Sequence, residues 1–73
     1  MTKTEKIKEE YLNCVRLLLH DYPNAFRTFE QLWLAGKLRE AYLCVDEVVK
    51  NNGIVLSPEQ QKFDEAFYWE IVN

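Results

Sequence analysis

The chain has 73 residues, of which 48% are hydrophobic, 14% aromatic and 29% charged, and its net charge is −3. This length fits a single domain spanning residues 1–73, and the apolar content is too high for a disordered chain. No apolar stretch approaches the ~20 residues that a membrane-spanning helix requires. Glutamates among the first ten residues are incompatible with a secretory signal peptide. We therefore expect a cytoplasmic protein that has no membrane contact.

The negative charge is concentrated near the end of the chain. Residues 1–53 contain eight basic and eight acidic side chains, whereas residues 54–73 contain four acidic side chains and one lysine. Nucleic-acid binding usually requires a basic surface. This distribution therefore argues against nucleic acid as a partner.

Apolar residues recur at spacings of three and four positions, which is typical of amphipathic helices. The pattern predicts helices over residues 4–20, 24–35, 38–51 and 58–72. Their core-facing positions are Ile7, Tyr11, Cys14, Val15, Leu18, Tyr22, either Ala25 or Phe26, Phe29, Leu32, Trp33, Leu38, Ala41, Val45, Val48, Phe63, Ala66, Phe67 and Ile71. We therefore expect an all-α fold, a small four-helix bundle with one core.

Local signals mark the helix ends. Pro23 suits a first helical turn, and the only two glycines, Gly36 and Gly53, follow the second and third helices, where left-handed caps favour glycine. Residues 57–60 (Ser-Pro-Glu-Gln) form the sequence of a capping box with proline at the first helical position. The short turn at Gly36 predicts that helices two and three form a central antiparallel hairpin.

Residues 35–41 (Ala-Gly-Lys-Leu-Arg-Glu-Ala) extend this hairpin signal. Apolar residues follow this segment at the spacing found in a tetratricopeptide repeat, namely Val45 and Val48. On this basis residues 22–55 resemble one such repeat, a helix–turn–helix unit of about 34 residues. Phe29 departs from the pattern, because the repeat has a small residue there, and Gly53 replaces its closing proline. The resemblance implies a tight hairpin and a role in protein binding.

Few side chains are suited to catalysis. The sequence has one serine, one histidine and two cysteines. Ser57 is accounted for as a helix cap, and Cys14 and His20 lie six positions apart, about 240° around a helix. Cys14 and Cys44 are expected to be reduced, buried thiols. No metal or nucleotide motif occurs. We therefore expect no enzyme activity, no cofactor and no metal.

The last predicted helix has more apolar side chains than one core-facing stripe needs. Its surplus aromatic residues stand among carboxylates and predict a partner-docking face formed by Asp64, Glu65, Tyr68, Trp69 and Val72. The alternative is that Trp69 closes the open end of the core. A second candidate face, Trp33 with Leu34 at the hairpin turn, is expected to belong to the core.

The function that these patterns favour is a non-enzymatic adaptor or inhibitor that docks on a larger protein or protein complex. The profile also fits a virus-encoded inhibitor of a host complex. Two alternatives remain open. One is a helix-turn-helix regulator that binds nucleic acid through Lys37 and Arg39, and the other is a small obligate homodimer.

Overall fold

A computed structural model describes residues 2–73, and the described chain consists of helices and short connections with no strand. The α-helices are α1 (Lys3–Leu18), α2 (Pro23–Leu34), α3 (Leu38–Asn51) and α4 (Pro58–Phe67), and a π-helix, Tyr68–Val72, continues α4. The prediction of an all-α, four-helix fold is confirmed. Among the described residues, no helix combines the length and the apolar character that crossing a membrane requires.

The helices pack as two pairs around one core. α2 and α3 form the hairpin predicted from Gly36, and α1 packs along α4. α1 and α4 run antiparallel, because Lys3 at the start of α1 reaches Glu70 beyond the end of α4. All four helices contribute side chains to the central cluster.

The turn at Gly36 is a Schellman cap. The Gly36 N–H donates to the Trp33 carbonyl at 3.1 Å, and the Lys37 N–H donates to the Leu32 carbonyl at 2.9 Å. Gly36 has a φ of +77°, a left-handed conformation that side chains with a Cβ rarely adopt. The chain thus reverses within three residues, which brings α3 back along α2.

Two helix ends differ from the prediction by more than one residue. α1 ends at Leu18 rather than at residue 20, because the chain tightens into a turn in which the His20 N–H donates to the Leu17 carbonyl. The fourth helix is α-helical only to Phe67. In a continuous α-helix Phe67 and Val72 would point about 140° apart. The wider π turn lets Ile71 and Val72 both pack against the cluster that contains Phe67.

Aromatic rings dominate the core. Tyr11 and Phe67 stack with ring centroids 3.9 Å apart and an interplanar angle of 4°. Trp33 lies 5.6 Å from Phe67 and 6.1 Å from Tyr11. This arrangement joins α1, α2 and α4, so that the start of the π-helix is anchored to two other helices.

Two leucines differ from the predicted core. Leu19, which lies outside the predicted stripe, is 1% exposed, whereas Leu34, expected in the core with Trp33, is 79% exposed. Leu19 turns inward because it caps α1 at the point where the helix tightens. Leu34 is the last residue of α2, and its side chain points about 100° around the helix from that of Trp33. Trp33 itself packs against the core as predicted.

Candidate functional site

The predicted docking face lies at the end of α4 and along the π-helix. Glu65 and Trp69 are exposed, Trp69 by 65%. Asp64, Tyr68 and Val72 are half-buried. The five residues therefore do not form one uniform surface. Trp69 and Glu65 face solvent, and the other three lie between them and the rest of the bundle.

Asp64 is directed towards α3 rather than towards solvent. Its Oδ2 accepts a hydrogen bond of 3.2 Å from the hydroxyl of Tyr42. Burial raises the pKa of the Asp64 carboxyl above its ordinary value, and the hydrogen bond from Tyr42 lowers that pKa by a smaller amount. Burial and the nearby Asp64 charge in turn raise the pKa of Tyr42. Asp64 thus fastens α4 to α3 beneath the exposed face.

Tyr68 links this anchor to Trp69. Its ring lies 5.4 Å from that of Tyr42, and Trp69 meets its edge at a centroid distance of 5.2 Å and an angle of 85°. Tilted and edge-to-face contacts are favourable arrangements for aromatic rings. Val72 packs against the core below. One side of the Trp69 indole is therefore fixed by Tyr68, while most of its surface remains in water.

Two glutamates lie close to Trp69 in the sequence. Glu65 precedes Trp69 by one helical turn, and the adjacent Glu70 forms an ion pair of 3.7 Å with Lys3. Both side chains of that pair are largely exposed, so it contributes little stability. The local charge remains negative, since one lysine stands near several carboxylates.

Tyr42 is the residue that the sequence interpretation missed. It was not among the predicted site or core positions, yet it contacts both Asp64 and Tyr68. Its spacing from Val45 and Val49 places it on the inner side of α3, and that periodicity was the available signal. Its partners, Asp64 on α4 and Tyr68 on the π-helix, are distant in sequence, and the local pattern does not indicate contacts of that kind.

The residues with catalytic potential are divided between two clefts, with Ser57 and Cys14 lining one and His20 the other. Ser57 completes the predicted capping box, since its Oγ accepts the Gln60 N–H at 3.2 Å and its own N–H donates to the Gln60 side chain at 2.8 Å. Cys14 and His20 line two different clefts. Burial raises the pKa of the Cys14 thiol to about 11, so it is uncharged and weakly nucleophilic at neutral pH.

Both cysteines are free thiols, Cys14 buried and Cys44 half-buried. Within residues 2–73, no group of three or more histidine, cysteine, aspartate or glutamate side chains is arranged to hold a metal ion.

Comparisons with known protein families, with curated protein sequences and with solved structures give no match. The resemblance of residues 22–55 to a tetratricopeptide repeat therefore depends on the residues of the α2–α3 hairpin alone.

Proposed function

We propose that this chain is a non-enzymatic interaction module, an adaptor or inhibitor that docks on a larger protein through the surface centred on Trp69. The observation that carries the proposal is the exposure of Trp69, at 65%, on a segment whose neighbouring residues are held by the core. Tyr68 and Glu65 complete this surface, and Asp64 and Val72 support it from below.

The arrangement favours binding for two reasons. Tryptophan and tyrosine often contribute most of the binding energy at interface centres. Contact with Tyr68 also restricts the Trp69 indole before any partner arrives, which reduces the entropy lost on binding. Covering the indole then removes apolar surface from water at little ordering cost.

The charge around Trp69 indicates the character of the partner. Glu65 and Glu70 lie on either side of it in sequence, and complementary charge at an interface rim mainly increases the association rate. The partner surface is therefore an apolar pocket bordered by lysine or arginine.

The absence of enzyme activity and the cytoplasmic location remain parts of this proposal. Ser57 is occupied as a helix cap, and the Cys14 thiol is uncharged at neutral pH. Two free thiols are typical of a reducing compartment.

The proposal is tested by Trp69→Ala, with Leu34→Ala as a matched control because Leu34 is another highly exposed apolar side chain. Partners are captured from host extract with the original chain, purified and titrated against both variants. Trp69→Ala should weaken binding about 30-fold, corresponding to about 2 kcal/mol, and leave helicity unchanged. Unchanged affinity would refute the docking surface, and loss of helicity would assign Trp69 a structural role.

The homodimer is the second candidate, because several large apolar side chains besides Trp69 are exposed on this small chain. Light scattering across a dilution series distinguishes it from a monomer that awaits another partner. Lys37 and Arg39 are also exposed near the start of α3. A gel-shift assay at low salt tests the nucleic-acid alternative. If the docking proposal is correct, no complex with nucleic acid should form in that assay.

A further inference from the structure

A cleft of about 440 Å³ lies between the C-terminal half of α1 and the N-terminal half of α4. It is located at the opposite end of α4 from Trp69. Its volume is within the range of about 300–1,000 Å³ that is common for ligand-binding clefts. The cleft takes no part in the proposed Trp69 surface.

Apolar side chains form part of the lining of this cleft. Leu17 from α1 and Phe63 from α4 belong to it together with Cys14, whose thiol is uncharged at neutral pH, and the polar residues Asn13, Ser57 and Gln60 also line it. Leu17 is 73% exposed although it lies in the middle of the last turns of α1. An apolar group seated here would remove Leu17 from water and extend the contacts of the half-buried Phe63.

The lining of the cleft includes one carboxylate from each helix. Glu10 stands on α1 and Glu59 on α4, and the described lining includes no lysine or arginine. Glu59 also acts on the interior, because its charge adds to the effect of burial in raising the pKa of Cys14. A cation close to a bound apolar group would therefore meet one carboxylate from each helix.

The molecule contains a second cleft whose lining includes a basic residue, Arg16. That cleft, about 270 Å³, is lined by Arg16 and His20. A basic segment would be repelled by Arg16 there and attracted to Glu10 and Glu59 in the α1–α4 cleft.

We propose that the α1–α4 cleft binds an apolar side chain of a partner protein that is flanked in the partner's sequence by lysine or arginine. The apolar side chain lies on Leu17 and Phe63, and the flanking cations face Glu10 and Glu59. Because Leu17 leaves one side of the cleft open to water, a chain can pass across it rather than be enclosed in it.

The test uses the full chain labelled with ¹⁵N and a synthetic hexapeptide in which leucine and phenylalanine stand between two pairs of lysines. Saturable amide shifts are expected around Leu17 and Phe63. One control peptide replaces the lysines with glutamates, and another replaces the two apolar residues with alanines. Neither control should produce saturable shifts at these positions.

Variants of the chain separate the two contributions. Leu17→Lys should weaken peptide binding about tenfold, because it removes apolar contact and adds like charge, whereas Leu34→Lys should have no effect. The double change Glu10→Gln and Glu59→Gln should weaken binding about fivefold and reduce its salt dependence. Circular dichroism verifies that each variant is folded, which is expected because Leu17, Leu34 and Glu59 are exposed and Glu10 is only half-buried.

The proposal would be overturned if millimolar peptide produced no saturable amide shift, or if the glutamate peptide produced equal shifts. It would also be overturned if the shifts were centred on Trp69 or on the Arg16–His20 cleft, or if Leu17→Lys bound the peptide as well as the original chain does. Trp69→Ala should bind the peptide normally. The cleft and the Trp69 surface are therefore tested independently.

Discussion

Removing the hydroxyl of Tyr11 should stabilise the protein. Tyr11 is 1% exposed, and its hydroxyl forms no hydrogen bond with any residue of the described chain. A buried polar group without a partner costs about 1–3 kcal/mol. Tyr11→Phe removes that cost and retains the ring that stacks on Phe67 at 3.9 Å. Removing the oxygen also removes its packing contacts with neighbouring atoms, which offsets part of the gain. We therefore expect the free energy of unfolding to increase by about 1 kcal/mol.

Tyr42→Phe deletes the same atom with the opposite expected result. The Tyr42 hydroxyl donates to Asp64 at 3.2 Å. Its removal leaves a half-buried carboxylate without this donor, which should lower the free energy of unfolding by about 1–2 kcal/mol. The two variants remove the same chemical group, and the sites differ in burial and in whether the hydroxyl has a partner.

Urea unfolding followed by far-ultraviolet circular dichroism at neutral pH measures both changes. Thermal unfolding gives a second measurement, in which a change of 1 kcal/mol corresponds to a shift of about 4–8 °C in Tm for a chain of this size. If Tyr11→Phe is destabilised by 1 kcal/mol or more, the Tyr11 hydroxyl has a partner in solution and the reasoning is refuted. If Tyr42→Phe is neutral, its hydrogen bond to Asp64 does not contribute to stability.

Three further predictions concern individual residues. The folded state raises the pKa of Asp64 above its ordinary value of 3.8, so its contribution to stability is fully present below that pH and is lost as pH rises through the folded-state pKa. Asp64→Asn should therefore lessen the fall in unfolding free energy between acidic and neutral pH. Iodoacetamide should alkylate the half-buried Cys44 before the buried Cys14 in the folded protein, as followed by peptide mass spectrometry. Gly36→Ala should cost about 1 kcal/mol on thermal unfolding, because φ is +77° and an added Cβ meets no atom within 4 Å, which leaves only backbone strain.

Each of these has a control and a contradicting result. The original chain and Asp64→Asn are compared across the same pH series, and parallel curves would show that Asp64 titrates alike in both states. Unfolding in urea should equalise the two cysteines, and faster native reaction of Cys14 would contradict its burial. Ala35→Gly, next to Gly36 but in right-handed helical geometry, is the backbone control for the turn. An unchanged Tm for Gly36→Ala would mean that the turn tolerates a side chain.

The local pattern determined the helices and their caps. The third helix has the predicted bounds, and the Gly36 turn and the Ser57 capping box form as predicted. These features depend on hydrogen bonds between residues at most five positions apart, such as Lys37 to Leu32. Neighbouring residues alone define them, and apolar periodicity then identifies the inner face of each helix.

Only the tertiary structure decided how far each face is covered and where the fourth helix changes type. Leu34 lies in the water beyond the core, Leu19 enters it, and the π turn begins where Phe67 stacks on Tyr11. The predicted face was likewise divided, because Asp64 bonds to a side chain 22 positions away and Trp69 stays exposed. The physical reason is that burial depends on which helices end beside one another. The spacing of residues within one helix carries no information about that arrangement.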